Sequence, residues 1–237
     1  MAVQVGTIAA VTTPPHTKPA ARATQRRGDA RREQMLQAAL ALLETMDFQQ
    51  ITFVAVCERA GIPHGSARYF YPDLDALLRG LLGELGKRHD ADLARPLPSR
   101  TTRDWRAVIH CLIDRSARFV GRNPVFAKLT IGGHMPPELK RLDREADVGR
   151  AKHLLDLLDR YFVLPRHKDL ERLAYYATEV VDTAFMLSMR ECNRVTPWWV
   201  RQAKLGATGI LEPVFGDLEA RRRRGRRAAR SVRRRNS

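Results

Sequence analysis

A short polar stretch holds the densest group of side chains able to make specific contacts. It contains a histidine, a serine, an arginine and two tyrosines: His64, Ser66, Arg68, Tyr69 and Tyr71. The arginine fork matches the paired acceptors of guanine, and the free amides of a helix start attract phosphate. Gly65 lets the backbone approach such a phosphate closely. We expect Arg68 and His64 to face base edges or phosphates, and Ser66 and Tyr69 chiefly to hold the backbone.

Two short helices must position these side chains. Thr52 is a natural N-cap, because its hydroxyl can accept a hydrogen bond from an amide of a helix that runs to Ala60. Gly61 can adopt the left-handed conformation that ends this helix. A second short helix then runs through Phe70. Two short helices joined by a glycine-containing turn are typical of a helix-turn-helix, whose second helix enters the major groove of DNA.

The remaining sequence has helical periodicity and no credible alternating strand. A first helix begins near Arg31, with apolar residues at i, i+3, i+4 and i+7. Asp73 caps a fourth helix. Thr196-Pro197 opens the last helix, which Gly216 ends. The sequence therefore predicts an all-α fold of about nine helices, in which an N-terminal three-helix helix-turn-helix domain precedes a C-terminal helical domain.

Composition divides the chain into four segments. Residues 1–28 are rich in Thr, Pro, Ala and basic residues and are predicted to be a disordered arm. Residues 29–82 are predicted to be the DNA-binding domain, and residues 83–217 the C-terminal helical domain. Residues 218–237 are predicted to be a disordered arginine-rich tail. The basic residues of the arm, Arg26, Arg27, Arg31 and Arg32, could reach a minor groove or the DNA backbone.

The net charge of +16 is concentrated in the tail. Ten arginines and no acidic residue follow residue 220, so residues 1–220 carry only +6. Such a tail predicts a sequence-independent contribution to DNA binding through counterion release. Charge therefore indicates a polyanionic partner without locating the binding site.

The cysteines and the hydropathy favour a cytoplasmic protein. Cys57, Cys111 and Cys192 are widely separated and show neither a disulfide framework nor a zinc spacing. No apolar run is long enough for a spanning helix, and the first residues lack the apolar stretch of a secretory signal. We expect no membrane association, no bound metal and no cofactor.

The region from Arg32 to Leu78 resembles the DNA-binding domain of the TetR/AcrR family of transcriptional regulators. The resemblance lies in these residues: Ala38-Ala39, Phe48, Thr52, Glu58-Arg59-Ala60-Gly61-Ile62, Gly65-Ser66, Tyr69-Phe70-Tyr71 and Pro72-Asp73-Leu74-Asp75-Ala76-Leu77-Leu78. The sequence departs from the family pattern at Asp47, Cys57, Arg68 and Leu74. The predicted DNA contacts are Thr52, His64, Gly65, Ser66, Arg68, Tyr69 and Tyr71. For Tyr71 a core position and a rim position both remain open.

The resemblance implies a homodimer that binds a near-palindromic operator. The last two helices of each subunit would form the dimer interface, and a small-molecule effector bound in the C-terminal domain would release the DNA. Small faces at Ala174, Ala177, Ala184, Ala203 and Ala207 would allow close helix approach there. A repressor is expected, with activation as the alternative, because that outcome depends on where the operator lies relative to a promoter.

Candidate effector contacts are the large side chains of the C-terminal domain: Trp105, Phe126, Met186 and Met189. Aromatic and methionine residues at helical spacing also serve as plain core. We find no catalytic residues, because no nucleophile elbow, phosphate-binding glycine loop or metal-ligand spacing is present. Two alternatives remain, a non-specific nucleic-acid-binding protein that depends on the arginine tail, and a helical enzyme. The ordered helix-turn-helix pattern argues against the first, and the lack of an acid, base or nucleophile cluster against the second.

Overall fold

The computed structural model describes residues 19–131 and 137–218. Within these residues the protein is all-α, as predicted, with two 3-10 turns and no strand. The nine α-helices are α1 (Pro19–Thr45), α2 (Phe53–Ala60), α3 (His64–Phe70), α4 (Leu74–Leu93), α5 (Trp105–Arg122), α6 (Pro124–Thr130), α7 (Pro137–Asp159), α8 (Leu170–Cys192) and α9 (Pro197–Phe215). None of the described helices is long and apolar enough to cross a membrane.

Helices α1, α2 and α3 form a small N-terminal unit. Its core contains the fully buried side chains of Met35, Ala39, Leu43, Val56 and Ala67. Helix α1 packs on α2, α3 and α4. The Gln34 amide also donates to the carbonyl of Ala60 over 2.7 Å, which ties α1 to the last turn of α2.

Helix α4 belongs to both halves of the molecule. Its first half buries Leu77, Leu78, Leu81 and Leu82, and the helix packs against α1 as well as α5, α6 and α7. The predicted domain boundary between residues 82 and 83 therefore falls inside one continuous helix. Periodicity alone does not reveal this continuity, because the apolar stripe of α4 serves two cores in succession.

The C-terminal half is a layer of long helices in which α8 pairs with α9 and α7, and α5 with α9. The indole of Trp105 is fully buried at the start of α5. Its Nε1 donates to the carbonyl of Gly216 over 2.8 Å, so the start of α5 is fastened to the end of α9. The Arg106 guanidinium adds an ion pair with Glu212 on α9.

The predicted terminal segments lie largely outside the described residues. Residues 1–18 and 219–237, including all ten tail arginines, are not among them. Helix α1 begins at Pro19, so residues 19–28 are helical where the sequence indicated a disordered arm. The side chains of Arg26, Arg27, Arg31 and Arg32 are exposed along this helix.

Arg115 anchors the end of α4 to α5. This arginine is buried, and its guanidinium donates to the carbonyls of Leu93 at 3.0 Å and Arg95 at 2.7 Å. A third hydrogen bond, of 2.9 Å, goes to the carbonyl of Pro96. The last carbonyls of a helix have no partner within the helix, so one side chain here completes the hydrogen bonding of the α4 terminus.

Replacing Arg115 with methionine should lower the free energy of unfolding by about 3 kcal/mol, because three carbonyls lose a charged donor at a buried site. Arg118→Met is the matched control, since exposed Arg118 bonds only to the carbonyl of Asp114 within its own helix. Urea denaturation of both variants measures the difference. Equal losses in the two variants would contradict the anchoring role of Arg115.

Candidate DNA interface and effector cavity

The sequence encodes both ends of α2 as predicted. The Thr52 hydroxyl accepts a hydrogen bond from the amide of Ala55 at 3.1 Å, which is the expected N-cap. Gly61 lies in the left-handed region at φ 63°, and its amide donates back to the last turn of α2. A left-handed residue at this point turns the chain sharply. Helix α3 therefore crosses α2 after a very short connection.

One face of α3 is buried and the other is open. Ala67 is fully buried against the N-terminal core, and the His64 ring contacts Phe53 edge-on, with centroids 5.5 Å apart. The predicted contact residues on α3 are exposed: His64, Gly65, Ser66, Arg68 and Tyr69. Tyr69 is 83% exposed, and Arg68 forms no ion pair within the described part of the chain. The guanidinium is thus available to a partner.

Tyr71 occupies an intermediate position. Its ring is half-buried and packs on α4 at Gly80, where an added Cβ would lie 3.0 Å from the ring. Burial raises the pKa of the Tyr71 phenol, which the nearby charge of Arg32 partly offsets. Tyr71 therefore supports α3 on α4, while its hydroxyl lies toward the basic residues of α1. Thr52 is likewise exposed at the start of α2, with its hydroxyl engaged in the cap.

A cavity of about 100 Å³ lies in the C-terminal half and is named here the central cavity. Its lining comes from five helices, α4, α5, α7, α8 and α9: His89, Leu93, Ile109, Leu112, Ile113, Ser116, Arg150, Leu154, Ala177, Thr178, Val181, Asp182, Ala207 and Leu211. A smaller space of about 30 Å³, the side chamber, shares four of these residues, His89, Ser116, Arg150 and Asp182. Most of the side chains that line the central cavity are apolar.

The structure places the four candidate effector residues in different surroundings. Phe126 lines the side chamber and contacts the His89 ring, with centroids 5.3 Å apart. Trp105 instead packs on Phe215 and fastens α5 to α9. Met186 and Met189 pack against the core and are not among the residues lining either space. Of the four candidates, only Phe126 therefore lines one of the two spaces, and that space is the side chamber.

Buried and half-buried carboxyls gather where the central cavity meets the side chamber, in what we name the acidic cluster: Asp143, Asp147 and Asp182. Arg150 lies among them and is ion-paired with Asp147, with Asp143 at 3.7 Å. Burial raises the pKa of Asp143 to about 7, and the charge of Asp147 adds to this shift. Burial likewise raises the pKa of Asp147 and raises that of Asp182 well above its usual range.

His89 stands beside this cluster as a neutral imidazole. Burial and the charge of Arg150 lower its pKa to about 4. The Nε2 atom lies 2.9 Å from the Ser116 hydroxyl. The Nδ1 atom is buried and has no hydrogen-bond partner in the described residues.

These polar cavity residues do not appear among the sequence-based candidates, although the sequence carries a sign of them. His89 follows Leu81 and Leu85 at intervals of four and so continues the buried stripe of α4. Asp143, Asp147 and Arg150 are also spaced to share one helix face. A polar residue at a helix position where the periodicity predicts an apolar one is the signal that could have identified these cavity residues from the sequence.

Residues 103–215 match the family model described as "Tetracyclin repressor-like, C-terminal domain". The C-terminal domain belongs to the TetR family. This match spans α5 to α9 and includes most of the cavity lining. It confirms the family recognised from the N-terminal residues, which lie outside the matched range.

Solved TetR-family structures share the fold over most of the chain. A TetR-family transcriptional regulator from Streptomyces coelicolor is 20% identical, with a TM-score of 0.59, over 78% of this chain and 99% of that one. A TetR transcription regulator from Haloarcula marismortui ATCC 43049 is 16% identical, with a TM-score of 0.57, over 81% and 100%. The flavonoid-responsive regulator FrrA is 18% identical, with a TM-score of 0.50, over 78% and 97%. No curated protein shows significant similarity.

Substitution by alanine should affect the stability of the protein differently at two glycines of the TetR-like helix-turn-helix. Gly61→Ala should lower the free energy of unfolding by about 1 kcal/mol, because alanine is disfavoured in the left-handed region. Gly65→Ala should leave stability unchanged or raise it by up to about 1 kcal/mol, because the site is open and alanine favours helix. Thermal unfolding of both variants tests this pair, and a destabilised Gly65→Ala variant would contradict it.

Proposed function

We propose that the protein is a sequence-specific, DNA-binding transcriptional regulator that represses from a near-palindromic operator and is released by a small-molecule effector. The single observation that carries this proposal is the open face of α3, where exposed Arg68 and Tyr69 project from a helix seated by buried Ala67. The second helix of a helix-turn-helix presents such a face to the major groove.

The DNA contacts follow from the chemistry of each side chain. Arg68 is proposed to contact base edges, because its fork suits guanine. His64, Ser66 and Tyr69 are proposed to contact the backbone or adjacent bases. Gly65 would let the start of α3 approach a phosphate. Thr52 and Tyr71 are proposed to act at the edges of this surface, as the exposed start of α2 and the support between α3 and α4.

The dimer is proposed to form through α8 and α9. Three large apolar side chains on these helices are exposed in the single chain, Tyr176, Trp198 and Leu205, at 57%, 52% and 65%. Large apolar side chains exposed on two paired helices favour a protein interface there. The alanines considered in the sequence analysis support it less, because all five are buried within the protomer: Ala174, Ala177, Ala184, Ala203 and Ala207.

The central cavity is proposed as the effector site. It has a mostly apolar lining with a few polar groups, as small-molecule sites do. Helix α4 links it to the DNA-binding unit, since His89 and Leu93 line the cavity on the same helix whose first turns pack on α1. One solved structure of similar fold is a flavonoid-responsive regulator, which agrees with a ligand-controlled role here.

Selection of bound sequences from a random DNA pool should recover a pseudo-palindrome. Arg68→Ala should weaken binding of the selected sequence by about tenfold or more, because one bidentate base contact is lost. Arg103→Ala is the matched control, since Arg103 is exposed in the C-terminal half and lies far along the chain from α3. It removes the same charge and should change affinity little.

Recovery of no preferred sequence would contradict the proposed function. Binding that depends only on DNA length and salt would then favour the alternative of a non-specific nucleic-acid-binding protein. Equal affinity losses in Arg68→Ala and Arg103→Ala would remove Arg68 from base recognition.

Leu205→Arg should shift the protein toward monomer, because an unpaired charge would be buried at the proposed interface. Val163→Arg is the control, since Val163 is similarly exposed, at 55%, but lies between α7 and α8. Sedimentation velocity over a concentration series measures the assembly state. A Leu205→Arg variant that dimerises as the wild type does would exclude this face as the interface.

A further inference from the structure

The wall of the central cavity is apolar except at one end. The apolar part comes from leucine, isoleucine, valine and alanine side chains of five helices. The polar end lies where the cavity meets the side chamber, and it is formed by His89, Ser116, Arg150 and Asp182. A ligand that fills the space must therefore be amphipathic, with its polar group at this end.

The polar end carries an excess of acidic groups. Arg150 is the one cation among the residues lining the central cavity, and three carboxyls of the acidic cluster surround it. Asp147 is 3% exposed, is ion-paired with Arg150, and is hydrogen-bonded to Asp182. Arg150 also lies 3.7 Å from Asp143 and interacts with the charge of Asp182, so one cation of the cavity wall is shared among three carboxyls.

The positive charge of Arg150 does not offset the cost of burying these carboxyls. Burial and mutual repulsion raise the pKa of all three carboxyls in the acidic cluster. Burial disfavours the charged form of a carboxyl, and a nearby cation favours it. A positive group placed beside Asp182 would therefore stabilise its carboxylate.

His89 supplies an independent sign that a polar ligand group belongs here. The residue is 5% exposed, lines both spaces, and leaves its Nδ1 atom without a partner. Buried polar groups are nearly always hydrogen-bonded. The Nε2 atom is already engaged with Ser116, so Nδ1 is the ring nitrogen of His89 that still lacks a hydrogen-bond partner among the described residues.

We propose that the central cavity binds an organic cation, with an apolar body among the leucines and isoleucines and a basic nitrogen beside Asp182, Asp143 and His89. This proposal rests on the proposed function, in which the central cavity is the effector site. An anionic ligand is disfavoured, because the one arginine is already paired and the next groups it would meet are carboxyls. A neutral ligand would fill the apolar part but leave the acidic cluster uncompensated.

Three compounds with the same carbon skeleton test the proposal: phenylbutylamine, phenylbutanol and phenylbutyrate. Their affinities are measured by isothermal titration calorimetry on the DNA-free protein near neutral pH. The amine should bind at least about tenfold more tightly than the alcohol, because its N–H groups form charge-assisted hydrogen bonds. The carboxylate should bind no more tightly than the alcohol.

Asp182→Asn should abolish the preference for the amine, because it retains the shape of the side chain and removes its charge. The affinity for the alcohol should change less than about threefold, because the neutral hydroxyl gains little from the charge of Asp182. Asp156→Asn is the matched control, since Asp156 is exposed on α7, and it should retain the preference. Asp143→Asn provides a second variant at the same end and should reduce the preference.

Equal binding of amine and alcohol by the wild type would overturn the proposal, as would tighter binding of the carboxylate or no binding of the amine up to millimolar concentration. Retention of the full preference in Asp182→Asn would overturn it too. These results need no DNA. If the DNA selection recovers an operator but the amine is not preferred, the proposed ligand class is refuted and the proposed function stands. If the amine is preferred but no operator is recovered, the proposed function is refuted and the ligand class stands.

Discussion

The three hydrogen bonds from Arg115 to Leu93, Arg95 and Pro96, at the end of α4 and just after it, are the constraint on which the rest of the structure depends. Helix α4 extends from the N-terminal unit, where Leu77 and Leu78 are buried, to the central cavity, which Leu93 lines. A helix transmits displacement only if its end is held. Arg115 holds that end to α5, which also forms part of the cavity wall.

A second connection joins the two halves through α6. The Lys128 ammonium donates to the carbonyls of Leu43 at 2.7 Å and Met46 at 3.1 Å, at the end of α1. Phe126 on the same short helix lines the side chamber. The N-terminal unit is therefore joined to the C-terminal half by α4, which lines the central cavity, and by α6, which lines the side chamber. Such shared elements are the physical requirement for coupling two sites.

The N-terminal unit was largely predictable because its geometry depends on local chemistry. Thr52 caps α2, Gly61 adopts the left-handed conformation, and Asp73 caps α4, each through contacts within a few residues. The cavity was not predictable in this way, because its lining converges from five helices. Trp105 illustrates the difference. Its large aromatic side chain suited an effector contact, but in the structure its indole donates a hydrogen bond to the carbonyl of Gly216. His89 and Asp182 belong to no local sequence motif, and they form part of the polar end of the cavity only once the fold brings α4 and α8 together.

Amide hydrogen exchange along α4, measured with and without operator DNA, tests the connection between the two halves. If α4 connects α3 to the central cavity, binding of DNA at α3 must alter the stability of the cavity wall. We predict that bound operator changes the exchange of amides in the last turns of α4, around His89 and Leu93. Changes confined to α2, α3 and the first turn of α4 would contradict this connection.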